Sequence, residues 1–373
     1  MIPLFKPSMD KEEIEAVASV ISSGWIGLGP KTKEFEENFA KFIGTKYAVG
    51  FNSCTAALHL AVKVLDLKPG SEIITTPLTF ISTAFAADYN NLRPVFADVQ
   101  RDTLNIDPDD IRRKITNKTK AIIPVHFGGY ACDMDKIAAI AKEYNLHLIE
   151  DAAHAAGSEL NGRKLGTFGE MSCFSFHAVK NMSTADGGML VTNNKIYSER
   201  LKRLVWCGID KSTFARQGNG KYSWDYDVKE IGYKYHLNDI ISSIGIVQLK
   251  KLEKMNERRR QIRDIYNKAF RNLNFIDCPV NKKGIKSSCH NYVAKITKGD
   301  REDLIVFLRS KGITAGVHYK PLYIYPIYNH VKAKCPVADE LWKKLITLPV
   351  FPDMTDDQVK FVADNVIKWG KNA

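Results

Sequence analysis

The sequence predicts an α/β fold, in which helices cover a mostly parallel central sheet, followed by a smaller C-terminal α+β domain. Short apolar segments rich in β-branched residues alternate with amphipathic helical segments up to residue 245, as in βαβ units. Beyond this point the alternation ends in a long basic helix. The 373 residues suit one large and one smaller domain. We therefore predict a large domain over residues 1–245 and a small domain over residues 246–373.

The predicted elements follow one another in a regular order. Two amphipathic helices, over residues 10–22 and 31–43, flank the glycine-rich loop SSGWIGLGP. Strands and helices then alternate through the segments KYAVGF, TAALHLAVKVLDL, SEIITTP, FISTAFAADYN, RPVFADV, DPDDIRRKI, KAIIPVHFG, DMDKIAAIAKEY and LHLIED. In the small domain, HNYVAKI is typical of a strand and REDLIVFLRSKGI of a helix.

Composition argues against several classes of protein. The net charge is +12, but the basic residues are dispersed, and their densest cluster, over residues 248–270, has the spacing of a solvated helix face rather than of a nucleic-acid site. The seven cysteines are scattered and form no C-x-x-C motif, which argues against disulfides and metal sites. No segment resembles a membrane span or a signal peptide. We expect a cytoplasmic protein, and a small anionic substrate would also suit the positive charge.

Polar, glycine or aromatic residues follow five of the predicted strands. The segments concerned are NSCTAA, TPLTF, HFGG, EDAAHAAGS and SFHAVK. In an open parallel sheet, ligands bind outside the carboxyl ends of the strands. The sequence therefore predicts that these segments converge on one cleft.

Four features of this cleft point to one cofactor, although each has a simpler explanation. Cys54 and Thr55 open a helix, which suits a phosphate or a plain helix cap. Phe80 suits a stacked ring or the core, and Asp151, after an apolar strand, suits a site or a structural ion pair. Lys180 taken alone is most simply a solvated loop residue. Together they match pyridoxal 5′-phosphate, which needs a phosphate cradle, a stacking aromatic, an acid at the pyridine nitrogen and a lysine for a Schiff base.

Over nearly its whole length the sequence resembles the DegT/DnrJ/EryC1/StrS family of pyridoxal-phosphate-dependent nucleotide-sugar aminotransferases. The matching segments are SGWIGLGPKTKEFEENFA, TPLTFISTA, PVHFGGYACDMD, IEDAAHAAGS, SFHAVKNMSTADGG, IGYKYHLNDIISSIGIVQLKKL, GVHYKPLY and LITLPVFPDMTDDQV. The resemblance implies an aspartate-aminotransferase-like fold (fold type I), with the cofactor in the large domain.

The resemblance also implies a role for each matching residue. Lys180 would bind the cofactor covalently, and Asp151 would pair with its pyridine nitrogen. Further cofactor contacts are implied for Cys54, Thr55, Phe80, His154 and Ser175. Substrate contacts are implied for His177, His318, Tyr319 and, in the GWIGLGP loop, Trp25.

One segment departs from the family pattern. Many members have GYNYRM, whose Asn reaches the cofactor phosphate of the neighbouring subunit, whereas this chain has GYKYHL. Lys234 therefore occupies the Asn position, with His236 two residues on, and either residue could contact the phosphate. The family pattern implies a homodimer with shared active sites. It fits the absence of Lys and Arg from the phosphate loop SCTAA.

The implied reaction is transfer of an amino group from L-glutamate to a nucleotide-linked keto sugar. Family members with histidine in place of the lysine are dehydratases, so Lys180 favours transamination. The segment KNMSTADGG is closer to enzymes acting at C4 than to those acting at C3, which often carry KNLG and GDGG. We predict a 4-keto-6-deoxyhexose substrate on a route to a polysaccharide or lipopolysaccharide. A 4-keto pentose and C3 amination remain alternatives, and the nucleotide stays open.

Rival functions on the same fold have weaker support in the sequence. A cysteine desulfurase needs a nucleophilic loop cysteine, and none of the seven lies in a recognisable loop of that kind. Amino-acid aminotransferases hold a substrate carboxylate with a C-terminal arginine, but residues 304–373 contain only Arg309, inside a predicted helix. A cofactor-binding regulator without activity would not need both Lys180 and Asp151.

Overall fold

The computed structural model of the protein describes residues 1–211, 214, 216 and 224–371. Its α-helices are α1 (Lys11–Ser23), α2 (Pro30–Ile43), α3 (Cys54–Lys63), α4 (Ser82–Asp88), α5 (Pro108–Lys114), α6 (Met134–Glu143), α7 (Lys195–Leu204), α8 (Asp239–Phe270), α9 (Arg301–Ser310), α10 (Pro336–Leu341) and α11 (Asp356–Gly370). Its β-strands are β1 (Tyr47–Phe51), β2 (Glu72–Thr75), β3 (Arg93–Phe96), β4 (Thr119–Ile123), β5 (His147–Asp151), β6 (Glu159–Leu160), β7 (Arg163–Lys164), β8 (Met171–Ser175), β9 (Gly188–Thr192), β10 (Ile276–Asp277), β11 (Ile285–Lys286), β12 (Tyr292–Ile296) and β13 (Leu345–Leu348).

The first helix shows how local sequence sets the elements. The Asp10 side chain accepts a hydrogen bond from the Glu12 N–H, while the Glu13 carboxylate accepts one from the Asp10 N–H. This capping box satisfies backbone donors that have no partner inside the helix. Gly24 then ends α1 in the left-handed region, at φ 74°. The helix therefore lies within one residue of its predicted bounds.

The described residues form a seven-stranded central sheet with the order β1-β9-β8-β5-β4-β2-β3. Neighbours from β8 through β5, β4 and β2 to β3 are parallel, and β9 runs antiparallel to both β8 and β1. The predicted mostly parallel sheet is confirmed. Antiparallel neighbours need no crossover helix, so a loop rather than a helix joins β8 to β9, and that loop carries Lys180.

Both faces of the sheet are buried, as its apolar strands predict. On β2, Ile73 packs in one core with Ala57 of α3, whereas Ile74 packs in another core with Ile137 of α6. Successive side chains of a strand point to opposite faces. Helices therefore cover the sheet on either side, and the strand ends are left to form a site.

Helix α8 joins the large domain to a smaller α+β unit. Its Leu252 packs in a core of the central sheet, whereas its Ile262 and Tyr266 pack in the core of the three-stranded antiparallel sheet β10-β12-β13. Ile2, from the N-terminus, belongs to that second core. The predicted boundary after residue 245 falls inside this continuous helix, and the division into two domains stays a prediction. No helix in the described ranges is both long enough and apolar enough to cross a bilayer.

Candidate active site

A cavity of about 440 Å³ lies at the carboxyl ends of the central strands. Segments that follow β1, β2, β5 and β8 line it, as does the turn before β9. The predicted site residues that line this cavity are Cys54, Thr55, Phe80, Asp151, His154, Ser175, His177, Lys180, His318 and Tyr319. The HFGG segment does not line it, because His126 is fully buried and pairs with Glu150 at 3.0 Å.

Lys180 lies half-buried in the loop after β8, where its N–H donates to the carbonyl of His177. Removal from water lowers the pKa of Lys180 to about 8, although the negative charges of Cys54, when ionised, and Asp151 act in the opposite direction. Burial disfavours the charged form of an amine. At neutral pH a useful fraction of this amine is therefore uncharged and able to act as a nucleophile.

Asp151 is the last residue of β5 and is buried in the cavity wall. One carboxylate oxygen accepts from the Thr83 hydroxyl at 2.8 Å, and the other accepts from the Ala153 N–H at 3.1 Å. Burial raises the pKa of Asp151 above its usual value, and the two hydrogen bonds oppose only part of this rise. Both donors are neutral, so a protonated pyridine nitrogen would supply the positive partner that a buried carboxylate needs.

The N-terminus of α3 forms the cradle for an anion. Ser53 caps the helix by accepting from the Ala56 N–H at 3.1 Å, and the Thr55 hydroxyl lies 2.7 Å from that of Ser82. Free N–H groups and the helix dipole favour a phosphate at such a position. Gly188 lets the cradle approach the sheet, because a Cβ atom there would lie 2.6 Å from the Cys54 nitrogen. This close approach gives a structural reason for the second glycine of the ADGG segment.

Neutral imidazoles form the wall that faces the small domain. The His154 ring stacks on His290 with centroids 4.4 Å apart, and its Nε2 lies 3.2 Å from the Tyr319 hydroxyl. Burial lowers the pKa of His154 well below its usual value, and it lowers the pKa of His318 to about 4. The buried Nδ1 of His154 has no hydrogen-bond partner among the described residues. The wall can therefore bind a polar ring without adding charge.

Phe80 lies at the mouth of the cavity and is 60% exposed. The alternative in which Phe80 is a core residue is wrong, because a core side chain would be covered on all sides. An exposed ring beside a cavity suits a stacking partner. These residues fit pyridoxal phosphate: a phosphate cradle, an acid without a cation, an aromatic ring and an amine of lowered pKa.

Comparisons with known proteins establish the family of the chain. The family model described as the DegT/DnrJ/EryC1/StrS aminotransferase family matches residues 7–367. The chain belongs to this family.

Relatives of this aminotransferase include a polysaccharide biosynthesis protein and an aminotransferase of known structure. It is 39% identical to the spore coat polysaccharide biosynthesis protein SpsC of Bacillus subtilis, over 98% of this chain and 96% of SpsC. The structure of Helicobacter pylori PseC, an aminotransferase involved in the biosynthesis of pseudoaminic acid, is similar with a TM-score of 0.94. The two sequences are 31% identical, and the match covers 100% of both chains.

A third relative bears on the cofactor. Spr1654 of Streptococcus pneumoniae has been solved in a PMP form and a PLP form, and the PMP form matches with a TM-score of 0.92, 32% identity and 100% coverage of both chains. The chain is thus a pyridoxal-phosphate-dependent sugar aminotransferase with fold type I, as its sequence predicts.

Three predicted site residues of the aminotransferase lie away from the cavity in their own chain. Lys234 places its Nζ 3.3 Å from the ring centroid of Trp206, and His236 lines a separate cavity of about 500 Å³. The Trp25 indole N–H donates to the Leu28 carbonyl. One chain does not bring these three residues to the other ten, so their contact with cofactor or substrate requires a second subunit and remains a prediction.

Sequence reasoning missed several residues that shape the site. Thr83 hydrogen-bonds Asp151, Ser82 contacts Thr55, and His290 stacks on His154. Thr83 and Ser82 lie in the segment TPLTFISTA, and their hydroxyl groups just after a predicted strand could have indicated that they belong to the site. His290 comes from the small domain and nothing local to it indicated the cavity. Among the described residues, no group of three or more His, Cys, Asp or Glu could hold a metal ion.

Proposed function

We propose that this aminotransferase moves an amino group from L-glutamate to a nucleotide-linked 4-keto-6-deoxyhexose, with the cofactor alternating between its pyridoxal and pyridoxamine forms. The observation that carries this proposal is the convergence of Lys180, Asp151 and the N-terminus of α3 on one cavity. Bound pyridoxal phosphate supplies an electron sink for the negative charge that develops on the substrate.

Different residues of the chain would bind different parts of the cofactor. The N-terminus of α3, with Thr55 and Ser175, would hold the phosphate. Asp151 would keep a positive charge at the pyridine nitrogen by charge pairing. Phe80 and His154 would contact the cofactor ring, and the stack of His154 on His290 keeps that imidazole in one orientation.

Lys180 is the residue suited to move protons. An amine with a pKa of about 8 can accept and return a proton near neutral pH with little driving force either way. His177, His318 and Tyr319 line the same cavity and would hydrogen-bond the hydroxyl groups of a sugar. His318 is held by the Thr347 hydroxyl, 2.8 Å from its Nδ1.

The lining of the cavity favours a sugar over an amino acid as the specific acceptor. Within the ranges that the structure describes, no arginine lines the cavity, so the chain itself supplies no fixed clamp for an α-carboxylate. Hydroxyl, phenol and imidazole groups suit sugar hydroxyls better. The choice of C4 and of glutamate rests on the segment KNMSTADGG and on the family.

The setting of the reaction belongs to the same proposal. SpsC acts in spore coat polysaccharide biosynthesis and PseC in that of pseudoaminic acid, which supports a product destined for a polysaccharide or lipopolysaccharide. All seven cysteines have free thiols, which suits a reducing compartment such as the cytoplasm. We further propose a homodimer in which each active site is completed by the other subunit.

The test is a substrate screen with the purified holoenzyme. UDP-, dTDP- and GDP-linked 4-keto hexoses, 4-keto pentoses and 3-keto sugars are incubated with glutamate, and 2-oxoglutarate and the aminated sugar are measured. We expect both products only with a 4-keto-6-deoxyhexose, and neither with the Lys180→Ala control. Turnover of 3-keto or pentose substrates alone would favour the corresponding alternative. No turnover with any sugar would favour a regulator.

A further inference from the structure

The segment that precedes α1 joins the smaller α+β unit to the wall of the reaction cavity, and we call its residues 2–8 the strap. The Ile2 N–H donates to the Gly312 carbonyl at 2.7 Å, and the Ile2 carbonyl accepts from the Thr314 N–H at 2.9 Å. Ile2 is also buried in the core of that unit. Backbone pairing and burial therefore fix this end of the strap.

The other end of the strap is fixed to α8 and to the loop before α11. The Ser8 carbonyl accepts from the Gln248 side-chain amide at 2.8 Å, and the Ser8 hydroxyl donates to the Asp353 carboxylate at 2.6 Å. Lys6 forms an ion pair with Asp353 at 3.1 Å. Because both ends are held, Phe5, which lies between them, has a defined position.

Phe5 contacts two imidazoles next to the cofactor site. Its ring stacks on that of His290, with centroids 5.7 Å apart and planes within 5°, and the His290 ring stacks in turn on that of His154. The Phe5 ring also meets His318 edge to face, again with centroids 5.7 Å apart. Of these four residues, His154 and His318 line the reaction cavity. One stack of three rings thus runs from the strap to the cavity.

Hydrogen bonds fix the stacked imidazoles only in part. The Nδ1 atoms of His154 and His290 are buried and have no hydrogen-bond partner among the described residues. Removal from water lowers the pKa of both rings well below the usual value, so both are uncharged at neutral pH and form no ion pair. Their orientation therefore depends on packing against neighbouring rings, and Phe5 is the outer ring of the stack.

We propose that Phe5 is a positioning residue of the transamination, which orients His318 directly and His154 through His290. The inference rests on the proposed function, in which His154 contacts the cofactor ring and His318 hydrogen-bonds the sugar. A flat hydrocarbon ring suits this role, because it covers the face of an imidazole without competing for its nitrogens. A displacement of about 1 Å in groups of this kind can reduce a rate by about 100-fold.

Two substitutions separate the flat ring from apolar bulk. Phe5→Leu keeps an apolar side chain without a ring face, whereas Phe5→Tyr keeps the ring. Cofactor-free protein is treated with diethyl pyrocarbonate, which acylates neutral imidazoles, and peptide mass spectrometry gives the rate at each histidine. We expect Phe5→Leu to raise the rates at His154, His290 and His318 about tenfold, because lost stacking contacts favour local opening. Phe5→Tyr should keep the wild-type rates.

The same experiment contains its own references. His126 is fully buried and pairs with Glu150, so its rate should change only if the whole chain opens. His147, whose side chain is 35% exposed, should react at one rate in every variant. Phe307→Leu is the matched control, because Phe307 is a partly buried ring of α9 that packs on the core of the smaller unit and does not line the cavity. It should match the wild type.

Kinetics connects the stack to the reaction. With glutamate and a nucleotide-linked keto sugar, we expect Phe5→Leu to reduce kcat/KM about tenfold and Phe5→Tyr to stay close to the wild type. Unchanged acylation of His154, His290 and His318 in Phe5→Leu, or an unchanged kcat/KM, would overturn the inference. A parallel rise at His126 would also overturn it, since Phe5 would then contribute only general stability.

Failure of the proposed function can be told apart from failure of this inference. The acylation rates require neither cofactor nor sugar. If the wild type aminates no nucleotide sugar while the three rates rise in Phe5→Leu and His126 does not change, the proposed substrate is wrong and the orientation of the imidazoles by Phe5 stands.

Discussion

At Lys180 and Asp151, the protein keeps an amine and a carboxylate in the lining of one cavity. Such groups lose solvation energy on burial, and a protein tolerates that cost where a ligand or a reaction uses the charge. Both residues have a pKa displaced towards the neutral form, downwards for Lys180 and upwards for Asp151. The pair is therefore prepared for a cofactor that brings a cationic nitrogen and an electrophilic carbon.

Replacement of Lys180 tests its covalent and proton-transfer roles together. We expect Lys180→Ala to lose the near-visible absorbance of the bound cofactor and to reduce kcat by at least about 10⁴-fold, near the upper end of acid–base contributions. Absorbance spectra and 2-oxoglutarate formation measure the two effects. Transamination at the wild-type rate would show that Lys180 is a loop lysine without a catalytic role.

Asp151→Asn keeps the shape of the side chain and removes its charge. We expect the variant to bind the cofactor but to lose at least about 100-fold in kcat, about 2.7 kcal/mol, because an amide cannot hold the pyridine proton by charge pairing. Steady-state kinetics with a cofactor-saturated variant measures the loss. A rate close to the wild type would leave Asp151 as a structural residue.

The pKa of about 8 for Lys180 gives a pH dependence with a definite sign. In cofactor-free protein the amine is protonated below that pH, so acetylation of Lys180 by acetic anhydride should rise through about pH 8 and then level off. Ordinary lysines, with a pKa of about 10.4, should still be rising there. Peptide mass spectrometry measures the acetylation of Lys180 and of the other lysines at each pH. In Asp151→Asn the midpoint should move to lower pH, and an unchanged midpoint would contradict the coupling.

At the scale of elements, helix α8 holds the loop that carries Lys180. The Asn256 side chain accepts from the Asn181 amide at 2.7 Å and donates to the Ala156 carbonyl at 2.9 Å. Gln248, nearer the N-terminus of the same helix, accepts from the Ser183 N–H at 3.2 Å. The loop is thus hydrogen-bonded to α8, whose Ile262 and Tyr266 pack in the core of the smaller α+β unit.

Asn256→Ala should loosen this loop. We expect a loss of about 1–3 kcal/mol in the free energy of unfolding, since the buried Asn181 amide and Ala156 carbonyl lose a partner, together with a reduced kcat. Urea denaturation and kinetics measure the two. The control is Asn365→Ala on α11, whose amide donates to Phe361 of its own helix; kcat should not change.

A double substitution decides whether Asn256 acts through Asn181. If the two residues form one unit, the losses of Asn256→Ala and Asn181→Ala should not add in the double variant. Additive losses would mean that Asn256 stabilises α8 without positioning the loop.

At the scale of the whole molecule, the cavity of one chain is short of positive charge. Of the described residues that line it, Lys180 is the one lysine or arginine, and two of the three lining histidines, His154 and His318, have lowered pKa values. A phosphate dianion is held best by cations and N–H groups together. Lys234 and His236 lie outside this cavity in their own chain, so we expect them to contact the cofactor phosphate in the cavity of the partner subunit.

Complementation tests this sharing. Lys180→Ala subunits are mixed with Lys234→Ala, His236→Ala subunits under conditions that exchange subunits. If sites are shared, each heterodimer carries one site with both defects and one with neither, so activity should partly return. Mixtures no more active than the separate variants, with heterodimers shown by mass spectrometry, would mean that each subunit builds its own site.

The sequence by itself determined the alternation of strands and helices and most of the cavity lining. Parallel strands bring their carboxyl ends to one edge, so residues at such an end or in the loop after it, such as Asp151 and Lys180, are expected to lie close together. Only the tertiary structure decided that His290 stacks on His154, that Asn256 holds Asn181, and that one helix runs through the predicted boundary at residue 245. These contacts join residues far apart in the chain, and they depend on how α8 and the small domain pack against the sheet, which local periodicity does not encode.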